Sequence, residues 1–269
     1  MPIINPLHPI LPQQPGQRIV WENLHGSSLG LALSTAIDEN KCPIVIITPD
    51  TLMASRIGYE LQFFQQHNKP VIYFPDWETL PYDYFSPHQD IISARLAALA
   101  QIPTLTTGAV ITPISTLMHR LSPFDYLAGQ TFLLKQHDSL NIEATRLRLE
   151  KAGYRCVTQV REHGEFAVRG SIIDLFPMGS ELPFRIDLFD DEIDTIRTFL
   201  PDTQRSLEKV EKIELLPAKE FPLDDKGIEL FRKQWRSQFS GNPLNCPIYQ
   251  DISEGICTPG IEYYLPFFF

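Results

Sequence analysis

The chain is short of cysteine, of basic charge and of long apolar runs, and each shortage excludes something. Its four cysteines, Cys42, Cys156, Cys246 and Cys257, never form a CxxC pair. They signal neither a zinc site nor a disulfide framework, and read as small buried apolar residues. The seven histidines show no metal-ligand spacing, so no metal or other cofactor is expected. No apolar run approaches the length that spans a bilayer. The proline-rich start, "MPIINPLHPILPQQPGQ", lacks the basic head and apolar centre of a signal peptide. Residues 1–17 read as a flexible arm, and the protein as cytoplasmic with no membrane partner. With 23 Lys and Arg against 33 Asp and Glu, the net charge is −10 and no basic stripe stands out. That counts against nucleic acid as the main partner of these residues.

What is present is an ordinary globular composition, 43% hydrophobic and 21% charged, with length for one large domain or two to three small ones. From residue 18 to 125 helix and strand patterns alternate. A helix is expected over 27–39, a buried strand at "CPIVIITP", and a helix capped by Asp50 with Met53, Ile57 and Leu61 on one face. "PVIYF" and "GAVITP" read as further strands, and "ISTLMHRL" as a short helix. Ser86-Pro87 reads as an N-cap opening a helix through Ala100 that Pro103 stops. Strands separated by helices imply a parallel sheet of βαβ units. From 126 to 216 the texture is a small α+β unit: one helix, Ser139 to Ala152, then hairpin-forming segments with a turn at 190–192. Residues 217–269 turn helical, through "KGIELFRKQWRSQF", and finish on "GIEYYLPFFF". That aromatic end reads as exposed, and so as a cut through a longer protein.

The stretch "HGSSLGLALSTAI" (25–37) has the outline of a phosphate-binding loop. A working loop follows G-x-x-x-x-G-K-[ST], with the lysine neutralising the phosphates and the hydroxyl holding magnesium. Here three residues separate Gly26 from Gly30, and Leu31, Ala32 and Leu33 follow. The expected reading is a helix N-terminus in a fold that has lost its ligand. The acidic string "IDLFDDE" then has no phosphate to serve. Asp83 with His88 offers acid–base groups but no nucleophile or metal. Trp77 and Tyr82 read as packing at a sheet edge, and His163 beside Glu162 as a solvated turn.

Strand alternation locates one surface candidate. In "PFRIDLFD", Phe184, Ile186 and Leu188 point to a core face, and Arg185, Asp187 and Phe189 to the other. In "GEFAVRG", Phe166 and Val168 share one face, and Ala167 and Arg169 the opposite one. If the strands neighbour each other, Arg169, Arg185 and Phe189 form one exposed patch of hot-spot composition. Periodicity leaves a second reading open, in which Arg185 pairs with a neighbouring acid and Phe189 packs under a loop.

Three stretches carry a resemblance: "DWETLPYDYFSPHQDIISARL" (76–96), "HGEFAVRGSIIDLFPMGSELPFRIDLFDDEIDTIR" (163–197) and "GIEYYLPFFF" (260–269). They resemble the N-terminal region of the bacterial transcription-repair coupling factor family. The first two are similar, more loosely, to the excinuclease B subunit of nucleotide excision repair. The resemblance implies a degenerate P-loop, helicase-like α/β domain 1a (18–125), an inserted α+β domain 2 (126–216) and a truncated domain 1b (217–269). It implies no catalysis by this piece, in which "YDYFSP" runs directly into a helix and leaves no room for a damage-probing hairpin. It also implies that Arg169, Arg185 and Phe189 bind the excinuclease A subunit (UvrA) and that the C-terminal domain of the full-length protein masks them. RNA polymerase and DNA would be engaged downstream. The rivals are an ATP-binding helicase fragment, which the missing lysine opposes, and a DNA-binding module, which the acidic charge opposes.

Overall fold

The computed structural model describes residues 5–81 and 83–269. The first four residues of the 1–17 arm, and Tyr82 with the sheet-edge role expected of it, lie outside the described residues. The chain divides into two compact units. One runs up to Asp76 and adds Gln101–His119; the other takes Trp77–Ala100 and Arg120–Phe269.

The first unit begins with α1 (Ser28–Glu39), β1 (Ile44–Thr48), α2 (Thr51–Phe64) and β2 (Val71–Tyr73). Asp50 caps α2 as expected, accepting the Met53 N–H at 2.7 Å. The chain then crosses the second unit as α3 (Gln89–Gln101) and returns as β3 (Ala109–Pro113) and α4 (Ile114–Leu117). The three strands form a parallel sheet in the order β1-β3-β2. Ile37, Ile46, Ala54, Ile57, Leu61 and Ile111 close its core. The central strand β3 is buried throughout, whereas β1 lies at an edge and leaves Val45 and Ile47 exposed. The strand expected to be buried at "CPIVIITP" is buried on one face only, with Ile46 and Thr48 turned inward and Val45 and Ile47 outward. Gly108 (φ +104°) precedes β3, and a Cβ there would lie 2.1 Å from the Pro70 carbonyl oxygen, so only glycine fits.

The second unit continues with α5 (Phe124–Gln130), β4 (Phe132–Lys135), α6 (Ile142–Lys151) and β5 (Arg155–Cys156). Then come β6 (Glu165–Arg169), β7 (Ile172–Leu175), β8 (Phe184–Phe189), β9 (Glu192–Phe199), β10 (Ser206–Val210) and β11 (Lys212–Leu215). Strands β5–β10 form a six-stranded sheet in sequence order, antiparallel except for the short β5–β6 pair. β4 and β11 pair separately as an antiparallel ribbon. Helix α6 starts later than expected: Asn141 caps it, accepting from Ala144 N–H, and Ser139 forms a bridge with Glu192 instead. Ser86 is not the cap of α3 either. Its hydroxyl donates to Glu262 and accepts from the Gly260 N–H, and α3 begins at Gln89. Nor does Pro103 simply stop that helix, since Ile102–Thr104 continue as a 3-10 turn.

Helices α7 (Asp225–Gln238) and α8 (Pro247–Ser253) lead to a 3-10 helix, Ile261–Phe268. The aromatic end expected to be exposed is packed: Ile261, Leu265 and Phe268 join Trp77, Phe221, Phe231, Trp235 and Tyr249 in one cluster. Trp77 therefore sits in an aromatic core rather than at a sheet edge. Its Nε1 donates to Glu220, and the Arg95 guanidinium lies 4.7 Å above its ring. Arg95 and Glu220 form a fully buried ion pair, with Arg95 Nε 2.6 Å from Glu220 Oε1. The cysteines were expected inside, yet Cys42, Cys156 and Cys257 are exposed.

Candidate partner-docking face

The register of the six-stranded sheet brings the predicted residues onto one face. Ala167 lies opposite Asp174 and Asp174 opposite Arg185, so these three form a row across β6, β7 and β8. Arg169, Ile172 and Asp187 form the next row. The opposite face buries Phe166, Ile173, Leu175, Ile186, Leu188 and Ile196. Phe184, expected in that core, is only half-buried, because it begins β8 at the sheet margin.

Arg185 does not present a free head to solvent. Its Nε and Nη2 hold the two oxygens of Asp174 at 2.7 and 3.0 Å, and its guanidinium lies 4.9 Å from the Phe199 ring centroid. Its side chain is 17% exposed, and the Asp174 carboxylate beneath it 1%. The bond to that carboxylate raises the Arg185 pKa further, against the opposing effect of burial. Arg169 shares the same carboxylate through Nη2 but is half-exposed. One buried acid therefore fixes two arginines. Ala167 and Phe199 bury themselves with Val160 and Phe176, so the Ala167 end of this face is a small second core.

Phe189 is 76% exposed at the end of β8, just before the turn at Asp190 and Asp191. It stands four residues along the strand from Arg185, about 13 Å away, and beside the β6–β7 turn, where Leu188 N–H bonds the Ser171 carbonyl. The face thus carries a clamped arginine, a half-free arginine and a separate exposed aromatic.

The remaining candidates are placed elsewhere. Among the described residues no strand precedes α1. The Gly26 carbonyl accepts from Arg56, and the Ser28 hydroxyl donates to the His25 carbonyl. A Cβ on Gly30 would meet Glu60, 2.5 Å from its Oε2, so a carboxylate packs against the first turn of α1. Among the described residues no cluster of His, Cys, Asp and Glu could hold a metal ion, and no helix is long and apolar enough to cross a membrane. Asp83 and His88 are not partnered with each other: Asp83 accepts from Leu80 N–H, and His88 lies 3.4 Å from Asp90. His163 is no solvated turn. It packs on Phe176, with Nδ1 on Asp90 and Nε2 on the Ser180 carbonyl.

His163 lines a cavity of about 600 Å³ with Ser86, Tyr154, Lys219, Glu220 and Glu262. Burial pushes the Glu262 carboxyl up to about 7, against the opposing hydrogen bonds from its own backbone N–H and the Ser86 hydroxyl. The folded state thus holds a proton that the unfolded chain releases near pH 4.5. Stability is highest below that value, falls as pH rises through 7, and is flat above. Glu262→Gln is expected to be neutral at pH 4 and stabilising by about 2–3 kcal/mol at pH 8. Denaturant titrations of both forms across this range check it, and a pH-independent difference would refute it.

The β4–β11 ribbon thus bounds an antiparallel sheet with a polar face of paired arginines, the form of a small α+β domain. The family described as "UvrB interaction domain" matches residues 132–221. Beyond that segment, the chain is 52% identical over 97% of its length to the transcription-repair-coupling factor of Haemophilus influenzae. It is 48% identical over 96% of its length to that of Escherichia coli, and 27% over 99% to that of Bacillus subtilis. It spans 23%, 22% and 23% of those proteins respectively. The chain is thus similar over nearly all its length to one part of the transcription-repair coupling factors, and residues 132–221 match the UvrB interaction domain within it.

Proposed function

We propose that this module is a non-catalytic adaptor that recruits the excinuclease A subunit of nucleotide excision repair to stalled transcription complexes. The observation that carries the reading is the face of the matched interaction domain: Arg169 and Phe189 reach solvent, and Arg185 is pre-set between them and the buried Asp174. Pre-set arginines with an exposed aromatic are the usual anchors of a protein interface, because little side-chain freedom is lost on binding.

In this reading residues 18–125 are a degenerate nucleotide-binding domain 1a, residues 126–216 the docking domain, and residues 217–269 part of domain 1b. The missing lysine supports the loss of nucleotide binding, since Leu31 follows Gly30, and the nearby Arg56 is already held by Glu60 and the Gly26 carbonyl. The same docking face is masked in the resting full-length protein by its own C-terminal domain, so two occupants compete for one patch. RNA polymerase and DNA are handled by parts outside this chain. The setting is the cytoplasm.

Phe189→Ala gives the cleanest test, because the ring touches little of the core. The variant is expected to melt like wild type, within about 0.5 kcal/mol. Its affinity for the purified excinuclease A subunit should fall by about 30-fold, the equivalent of about 2 kcal/mol. A wild-type titration without binding would end the adaptor reading, and an unchanged affinity in the variant would remove Phe189 from the site.

A further inference from the structure

The row that contains Asp174 and Arg185 does not stop at β8. Arg185 lies directly opposite Arg197 on β9, and Arg197 directly opposite Lys209 on β10. Three cations therefore stand side by side on three adjacent strands, about 5 Å apart from one to the next. Like charges directly opposite one another destabilise a sheet. Only the first of the three holds a carboxylate at hydrogen-bond length. Arg185 has the Asp174 carboxylate, which it already shares with Arg169.

Arg197 is less well served. Its nearest carboxylate, Asp187, is 3.6 Å from Nη2, beyond the length of a charge-assisted hydrogen bond. Asp187 accepts instead from the Thr195 hydroxyl, and Arg197 Nη2 spends a bond of 3.2 Å on that same hydroxyl. Arg197 Nε is buried and has no hydrogen-bond partner, although the side chain as a whole is 37% exposed. Lys209 is exposed on the edge strand and forms no ion pair among the described residues. By register and strand alternation this face holds Arg155, Arg169, Arg185, Arg197 and Lys209 against Glu165, Asp174, Asp187 and Glu192. The two signs balance closely over the face as a whole, but the row across β8, β9 and β10 is all cations, in a chain that carries −10.

We infer that Arg197 and Lys209 extend the docking face across β9 and β10, and that this extension takes a cluster of carboxylates on the surface of a protein partner. The inference rests on the docking reading above and names the chemistry the partner brings. Carboxylates fit better than a nucleic-acid backbone, since the acidic chain repels an extended polyanion while a local acidic patch meets the cations alone.

The test titrates purified excinuclease A subunit into the full chain and into Arg197→Gln, Lys209→Gln and the double variant, at low and at physiological salt. Each single change is expected to weaken binding by about 5–10-fold and the double by about 30–100-fold, with a shallower salt dependence. Lys209→Gln should melt like wild type, because the side chain is exposed, so its loss of affinity separates contact from folding. A double variant that binds and responds to salt like wild type overturns the inference and leaves the Arg169, Arg185 and Phe189 site standing. If the wild-type chain does not bind, the docking reading and the inference fall together. Duplex DNA binding that the double variant abolishes, with the protein partner unaffected, also overturns it.

Discussion

Glu220→Ala is expected to destabilise the second unit by about 3–5 kcal/mol, the usual cost of removing one member of a buried ion pair. Arg95 is 0% exposed and Glu220 2%. The truncation takes from Arg95 both of its bonds to that carboxylate, at 2.6 and 3.1 Å, and takes one from the Trp77 indole. The guanidinium then remains in the aromatic core without the charge that balanced it. Arg95→Met alone should cost a similar amount, by leaving the acid instead. Arg95→Met combined with Glu220→Met should cost much less than the two single changes together, since no buried charge is left behind. Urea denaturation of the three variants decides it. Strict additivity would mean that the pair is not coupled as the geometry requires.

Arg185→Glu is expected to abolish docking and to unfold the domain more readily as well. The substitution sets a second carboxylate against Asp174, which is itself 1% exposed. It also removes the cation that lies over Phe199. A loss of about 2–4 kcal/mol follows from breaking a mostly buried pair and adding repulsion. Arg169→Glu should cost less stability, because that side chain is half-exposed and Asp174 keeps Arg185. Melting curves paired with binding titrations distinguish the two positions. An Arg185→Glu variant as stable as wild type would mean that the Asp174 clamp contributes nothing. The loss of docking by this variant alone therefore does not prove contact, whereas the loss by Phe189→Ala does.

Local periodicity made much of this legible. Alternation in "PFRIDLFD" placed Arg185 and Phe189 away from Ile186 and Leu188, and the structure keeps that division. The Asp50 cap was equally plain, because a cap depends on neighbours three residues away. Of the second reading, the pairing of Arg185 with an acid holds and the burial of Phe189 does not, but Asp174 as the partner was not legible, although both residues sit at polar positions of apolar strands. Loop 176–183 separates β7 from β8, and a connection of that length does not set a register as a two-residue turn does. The lone acid in "SIIDLF" was the available signal, since an Asp within a strand core asks for a cation across the sheet. Arg197 and Lys209 were missed for a different reason: β8 and β9 join through a two-residue turn, but their register shifts after Asp187, and a second shift lies inside β10. The Arg95–Glu220 pair spans 125 residues, and nothing local announces it. The burial of the aromatic end likewise depends on Phe231 and Trp235 of α7, beyond the reach of any window around residue 265.

The β4–β11 ribbon gives the docking domain a single doorway. Phe132, where the matched family segment also begins, lies directly opposite Leu215. The chain therefore goes in and comes out within about 5 Å, while α3 also holds the piece between, through Asp90 on His163 and Ser93 on the Gly179 N–H. A host chain interrupted by such a piece needs only two neighbouring backbone points to receive it. A protein engineer who grafts residues 132–215 into a tight turn of matching gap must therefore also supply a surface in place of α3, to meet His163 and the Gly179 N–H.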